Sequence, residues 1–121
     1  MNILPQRKRL PKRRNGQRWK LHMGGHAIHI ATGEYEDGKL GEVFIDMNAE
    51  GTALRVMTMA FAIAVSLGLQ YGVPLATLVH AFRDLAGEPD GAVSWHDAVR
   101  TARSVPHLVM QVLDAEYGRR T

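Results

Sequence analysis

From Arg18 onward apolar residues fall at every second position: Trp19, Leu21 and Met23, then, after Gly24 and Gly25, Ile28 and Ile30. A period of two marks a strand with one covered face, and two adjacent glycines supply the positive φ angles that a two-residue hairpin needs. With the turn at Gly24-Gly25, Leu21 faces Ile28 and Trp19 faces Ile30, and all four side chains point to one side. The stretch 32–41 carries three glycines and reads as a loop, with a tight turn at Asp37-Gly38. A third strand follows over 42–47. Val43, Ile45 and Met47 share one of its faces, and Phe44 lies on the other, where it needs separate cover.

The period then changes to that of a helix. Signals begin at 48–52 and run to Gln70, with Leu54, Met57, Phe61, Ala64, Val65 and Gly68 on one stripe. Arg55 is the only charge between Thr52 and Gln70, so most of this helix's circumference is expected to be covered. Gly72 suits the left-handed position that ends a helix, and Pro74 the first turn of a second one carrying Leu75, Leu78, Val79 and Phe82. Gly87, Pro89 and Gly91 break the chain. Ser94 with Asp97 reads as a capping box for a third helix through Arg103. Ser104 and Pro106 open a last helix with Leu108, Val109, Val112, Leu113 and Tyr117, closed by Gly118. The expected fold is α+β: a three-stranded antiparallel sheet of residues 17–23, 26–32 and 42–47, packed on a central buried helix with three shorter helices completing the layer.

Residues 1–16 have little apolar beyond Ile3, Leu4 and Leu10, too little to offset the entropy of ordering, and are expected to form a flexible arm before a single domain at 17–121. The chain's 121 residues suit one domain. It has no cysteine, which excludes a disulfide frame, a thiolate nucleophile and Cys-type metal sites. The basic start leads to Pro11 and Lys12 instead of an apolar segment, so a cytoplasmic location is expected. The most apolar run, 56–69, is 14 residues long, short of the ~20 that span a bilayer, and no membrane partner is expected.

Charge is divided unevenly. The first twenty residues hold eight basic side chains and no acid, whereas the other 101 hold seven basic and twelve acidic ones. Arg7, Lys8, Arg9, Lys12, Arg13 and Arg14, extended by Arg18 and Lys20, repel one another unless an anion is near. Guanidinium forks chelate phosphate oxygens, and neutralising several phosphates releases counterions, so these eight residues form a candidate phosphate or polyanion site. Docking on an acidic protein surface and a solubilising tail are the other readings of the same run. Trp19 could stack on a base, but its place on the apolar face assigns it to the core. His22, His26 and His29 lack a completing ligand, since Lys20 lies opposite His29, and no metal is expected. Glu34, Glu36 and Asp37 read as solvated turn charges. No catalytic triad, HExxH or phosphate loop occurs.

Three stretches together carry a resemblance: Arg9-Leu10-Pro11 with Arg13-Arg14-Asn15-Gly16; Gly33-Glu34-Tyr35-Glu36-Asp37-Gly38 running into Leu40-Gly41-Glu42-Val43-Phe44-Ile45; and Leu69-Gln70-Tyr71-Gly72-Val73-Pro74-Leu75. They resemble the TSCPD domain found near the C-terminus of adenosylcobalamin-dependent (class II) ribonucleotide reductases, and residues 88–93 and 102–119 resemble the segment that follows it. The Thr-Ser-Cys-Pro-Asp pentapeptide that names the domain is absent. The resemblance implies a free-standing accessory or regulatory module of deoxyribonucleotide synthesis, not catalytic by itself. It would meet a nucleotide, another phosphate-bearing ligand or a reductase catalytic chain, and adenosylcobalamin would reside in that chain alone. The alternatives are a nucleic-acid-binding module outside the reductase context, and ribonucleoside-diphosphate reductase activity expressed in complex with a separate catalytic chain.

Overall fold

The computed structural model describes residues 6–47 and 51–119. In chain order these form β1 (Arg18–Met23), β2 (His26–Glu34), β3 (Leu40–Asp46), α1 (Thr52–Gln70), α2 (Leu75–Phe82), β4 (Gly91–Ser94), β5 (Thr101–Ala102) and α3 (Val105–Tyr117). The sheet is antiparallel and five-stranded, in the order β3-β2-β1-β4-β5, and curls into a half-barrel.

The hairpin has the expected register: Trp19 pairs with Ile30, Lys20 with His29 and Leu21 with Ile28. Gly24 and Gly25 have φ of 57° and 81°, the two positive values of a type I′ turn, whose twist matches that of the strands. β3 extends the ladder, pairing Ile45 with Ile30 and Val43 with Thr32. Leu21, Met23, Ile28, Ile30, Val43 and Ile45 therefore share the concave face, and all are buried.

Two further strands correct the expected three-stranded sheet. Residues 94–103, expected as a helix, instead make the end of β4, a turn and β5. Ser94 caps nothing: it pairs with His22 while Val93 pairs with Met23, closing the otherwise open edge of β1. Trp95 has a φ of 75°, which no helix tolerates. The imidazole of His96 accepts the amides of Ala98 and Val99 at Nδ1, both at 3.0 Å, so the turn satisfies its own backbone. A local capping signal loses here to the tertiary demand of an unpaired strand edge.

The buried helix is also a different one. α3 fills the concave side, with Leu108, Val109, Val112, Leu113 and Tyr117 each at 0% exposure. Its start is as read from the sequence: Ser104 accepts the His107 amide at 3.2 Å and Pro106 sits in the first turn. α1, expected at the centre, lies along the outer edge of β3 and buries only Thr58, Ala62, Val65 and Gln70. Met57, assigned to the covered stripe, is 67% exposed. Polar bonds add to the burial of Ala62 and Val65 in holding α1 there. Ser66 Oγ accepts from the Val43 amide at 2.9 Å and lies 3.2 Å from the Val43 carbonyl, and Gln70 Nε2 donates to the Gly41 carbonyl at 3.0 Å. The end of α1 matches the sequence reading: Gly72 is left-handed, its amide bonds the Leu69 carbonyl and that of Val73 the Gly68 carbonyl, the Schellman pattern.

Residues 6–16, expected as part of a flexible arm, run with Gln17 as an extended segment fastened to the domain. Asn15 and Gln17 offer carbonyls to the amides of Glu34 and Thr32 at 2.8 and 2.9 Å, and the Lys8 amide bonds the Gln70 carbonyl at 2.8 Å. Gly16 is required there, because a Cβ would stand 1.9 Å from the Thr32 carbonyl oxygen. Hydrogen bonding to the end of β2 supplies what apolar burial does not. The first five residues of the expected arm, and the expected helix start at 48–50, lie outside the described residues.

Tyr117 closes the core. Its hydroxyl lies 2.7 Å from Thr32 Oγ1 and donates to Glu34 at 2.5 Å, and burial together with that carboxylate pushes its pKa up to about 12.

Two outcomes are expected. Leu21→Ala should cost ~2–4 kcal/mol of stability and His29→Ala, on the convex face, no more than ~0.5, measured by urea unfolding. The folded protein holds the Tyr117 proton more tightly than the unfolded chain does, so the stabilisation it gives is complete below pH 10 and is lost as pH rises from 10 towards 12. The Tm of the wild type should fall more steeply across that window than that of Tyr117→Phe.

Candidate functional site

The three stretches that carry the family resemblance meet at one place. Leu10 lies over Gly41, where an added Cβ would come within 2.7 Å of its side chain and 2.8 Å of the Tyr35 ring. Arg14 forms a two-pronged pair with the carboxylate of Glu42 and donates to the Pro11 carbonyl at 2.7 Å. Arg7 Nε donates to Gln70 Oε1 at 2.7 Å, and the Lys8 ammonium lies 4.5 Å above the Tyr35 ring while its carbonyl accepts from the Tyr35 hydroxyl. Burial raises the pKa of Tyr35 against the lowering influence of Arg7. Gln70 thus binds Arg7, the Lys8 amide and the Gly41 carbonyl at once.

Beside this interlock, an open groove of about 830 Å³ runs between α1 and the convex face of β2 and β3. Arg7, Arg18 and Arg55 line it together with Phe44, Met59 and Ile63. Cross-strand rows order its bed: Arg18, Ala31 and Phe44 form one row, and Lys20, His29 and Asp46 the next. Phe44 is 54% exposed, so the cover its position demands is absent from the described residues.

The eight predicted cations are not gathered into one site. Arg7 and Arg18 reach the groove; Arg13 and Arg14 line a smaller cleft of about 250 Å³ with Glu34 and Tyr35. Arg14 is engaged by Glu42 and Lys8 by Tyr35, and Lys20 lies 5.9 Å over the exposed ring of Trp95. Arg9 and Lys12 are exposed. Among the described residues no group of three or more His, Asp or Glu side chains could hold a metal ion.

Arg55, Gln70 and Phe44 line the groove although none belongs to the run of cations. Signals for them existed. A single charge on a 19-residue apolar helix must reach water and so marks a helix rim, and an aromatic ring facing away from the core side of a strand calls for a partner.

A second surface lies on the side of α1 away from β3. Val56 and Met57 are 54% and 67% exposed there, beside Ala60 and Ala64, with no charge among them.

A curled antiparallel sheet with one filling helix and an edge helix defines a small α+β domain. The sequence matches the TSCPD domain family over residues 5–117, and the chain belongs to that family. It is 48% identical to a vitamin B12-dependent ribonucleotide reductase of Bradyrhizobium diazoefficiens over 98% of its own length. It is 48% identical to one of Agrobacterium fabrum and 42% identical to one of Streptantibioticus cattleyicolor, over 93% of its length in each case. It spans 9% of the first two proteins and 19% of the third. No solved structure matches the chain.

The Arg14–Glu42 pair carries a direct expectation. Glu42 is 8% exposed, so Arg14→Ala strands a nearly buried carboxylate and should cost about 1.5–3 kcal/mol in urea unfolding. Removing both charges in Arg14→Ala/Glu42→Ala should cost less than Arg14→Ala alone, because no unpaired charge is then left behind.

Proposed function

We propose that the chain is a non-catalytic accessory module of a cytoplasmic B12-dependent ribonucleotide reductase, and that it docks on the catalytic chain through the outward side of α1. The carrying observation is that helix: nineteen residues, one charge, four buried side chains, and Val56 and Met57 more than half exposed. Burying an apolar side chain of that size gains ~1.5–3 kcal/mol, and an apolar strip of this kind on a small domain marks a contact surface. By length and composition α1 could cross a bilayer, but its Ser66 and Gln70 bonds to β3 suit an edge helix on a folded domain. Relatives that carry the same domain as a small part of a reductase chain supply the occupant: a reductase body. In this reading adenosylcobalamin and the reducing thiols belong to the catalytic chain, and no residue of this domain is assigned to them.

The nucleic-acid alternative draws on one observation, the 65% exposed Trp95 beside Lys20 and His22, a place where a base could stack.

The test mixes the chain with a B12-dependent reductase chain that carries no copy of the domain, and follows association by sedimentation. A complex that Val56→Asp/Met57→Asp weakens at least tenfold is expected, with no deoxynucleotide formed by the module alone in the presence of adenosylcobalamin. Absence of a complex, or a complex indifferent to those substitutions, rejects the docking reading. Self-association lost in the same variant assigns the strip to a second copy instead.

A further inference from the structure

The groove beside α1 is lined by neither Val56 nor Met57, and its chemistry calls for a different kind of ligand. Its volume of about 830 Å³ lies within the ~300–1,000 Å³ usual for small-molecule sites. Its bed has a gap. Ala31 lies between Phe44 on one neighbouring strand and Arg18 on the other, and at ~4.8 Å between strands the two flanking Cα atoms stand about 10 Å apart. A planar ring laid over the Ala31 methyl has the Phe44 phenyl on one side and the Arg18 guanidinium on the other. Met59 and Ile63 of α1 form the apolar wall above.

The groove is polar at its two ends, and the ends differ. At the Gln70 end, Arg7 is held by its Nε bond to Gln70, which leaves its terminal amino groups for a ligand. The one carboxylate at that end, Glu42, is neutralised by the two-pronged bond from Arg14. At the other end stand Asp46 and Arg55, a mixed pair that does not favour an anion. Charge therefore concentrates positively at Arg7 and Arg18, adjoining the exposed aromatic ring, and forked guanidiniums are suited to phosphate oxygens.

We propose that this groove binds a nucleotide, with the base over Ala31 against Phe44 and the phosphates at Arg7 and Arg18. The shared chemistry, a planar base joined to phosphate, is offered by a free nucleotide and by a nucleotide unit of a single strand. The site stands on its own geometry and does not need the docking reading to hold.

Titration calorimetry on the purified chain at low salt tests it with ATP, inorganic triphosphate, adenosine and a short single-stranded oligodeoxynucleotide. The expected result is saturable binding of ATP, with inorganic triphosphate weaker by about tenfold or more, the scale of one stacking contact, and adenosine weaker by about tenfold or more because it lacks the charge-assisted phosphate bonds. Phe44→Ala and Arg18→Ala, both exposed positions, should each weaken ATP by about tenfold with the Tm unchanged, while Arg9→Ala/Lys12→Ala on the exposed segment should change it less than twofold. Oligonucleotide binding that exceeds that of ATP and falls in Phe44→Ala supports the site with a polymer as its source. Equal affinity for ATP and inorganic triphosphate, indifference to Phe44→Ala, loss in Arg9→Ala/Lys12→Ala instead, or no binding of any probe overturns it. Complex formation with a reductase chain is read in a different assay and through Val56 and Met57, so either result can fail without the other.

Discussion

Glu42 sits on β3 almost out of reach of water, and a carboxylate in that position must be paired or protonated. Arg14 is the partner the chain supplies, and bringing it there draws the whole segment before β1 across the end of the sheet. Several small-residue requirements then follow as matters of space. Gly16 has to pass the Thr32 carbonyl, Gly33 has to lie under the Glu42 side chain, and Gly41 has to make room for Leu10. The same seating places Arg7 against Gln70 and so fixes one wall of the groove. A structural ion pair thus decides where the free cations of the segment end up.

The second organising demand is that of the sheet's two outer edges. β3 ends the sheet on one side, and the hydroxyl of Ser66 and the amide of Gln70 meet its backbone from α1. On the other side Gln111 of α3 donates to the Thr101 carbonyl of β5 at 2.9 Å. α1 is held at an edge, by these polar bonds and the burial of Ala62 and Val65, instead of in the centre, and this is why so apolar a helix keeps half its girth in water. Structure and proposed role are linked at that point: the exposed strip is a by-product of where the edge needed covering, and a partner can use it.

Features set by a few neighbouring residues were legible from the amino-acid order. The Gly24-Gly25 turn with its register, the left-handed Gly72 and the Ser104 cap with Pro106 each depend on local geometry, and each stands where expected. Features set by competition between distant segments were not. Hydropathy says how apolar a helix is, not whether it is covered, so it points to α1 for the centre, which α3 fills instead. The Ser94 and Asp97 spacing is a sound cap in isolation, but the open edge of β1 claims that stretch as a strand. Eight nearby cations looked like one site; pairing with Glu42 and Tyr35 separates them, and the groove draws on Arg55 from a helix 37 residues beyond Arg18 in the chain. The family likeness was legible because the motifs that carry it are those that interlock.

The hydroxyl of Ser66 meets both the amide and the carbonyl of Val43, acting as a one-residue substitute for a sixth strand. β3 therefore offers no ready template at its middle for a foreign strand to zip onto, and the sheet cannot be lengthened there by β-augmentation or by edge-to-edge aggregation. Whatever this domain joins on that side has to approach it by a face of α1 or through the groove, so association is governed by side-chain fit rather than by the indiscriminate pairing of backbones.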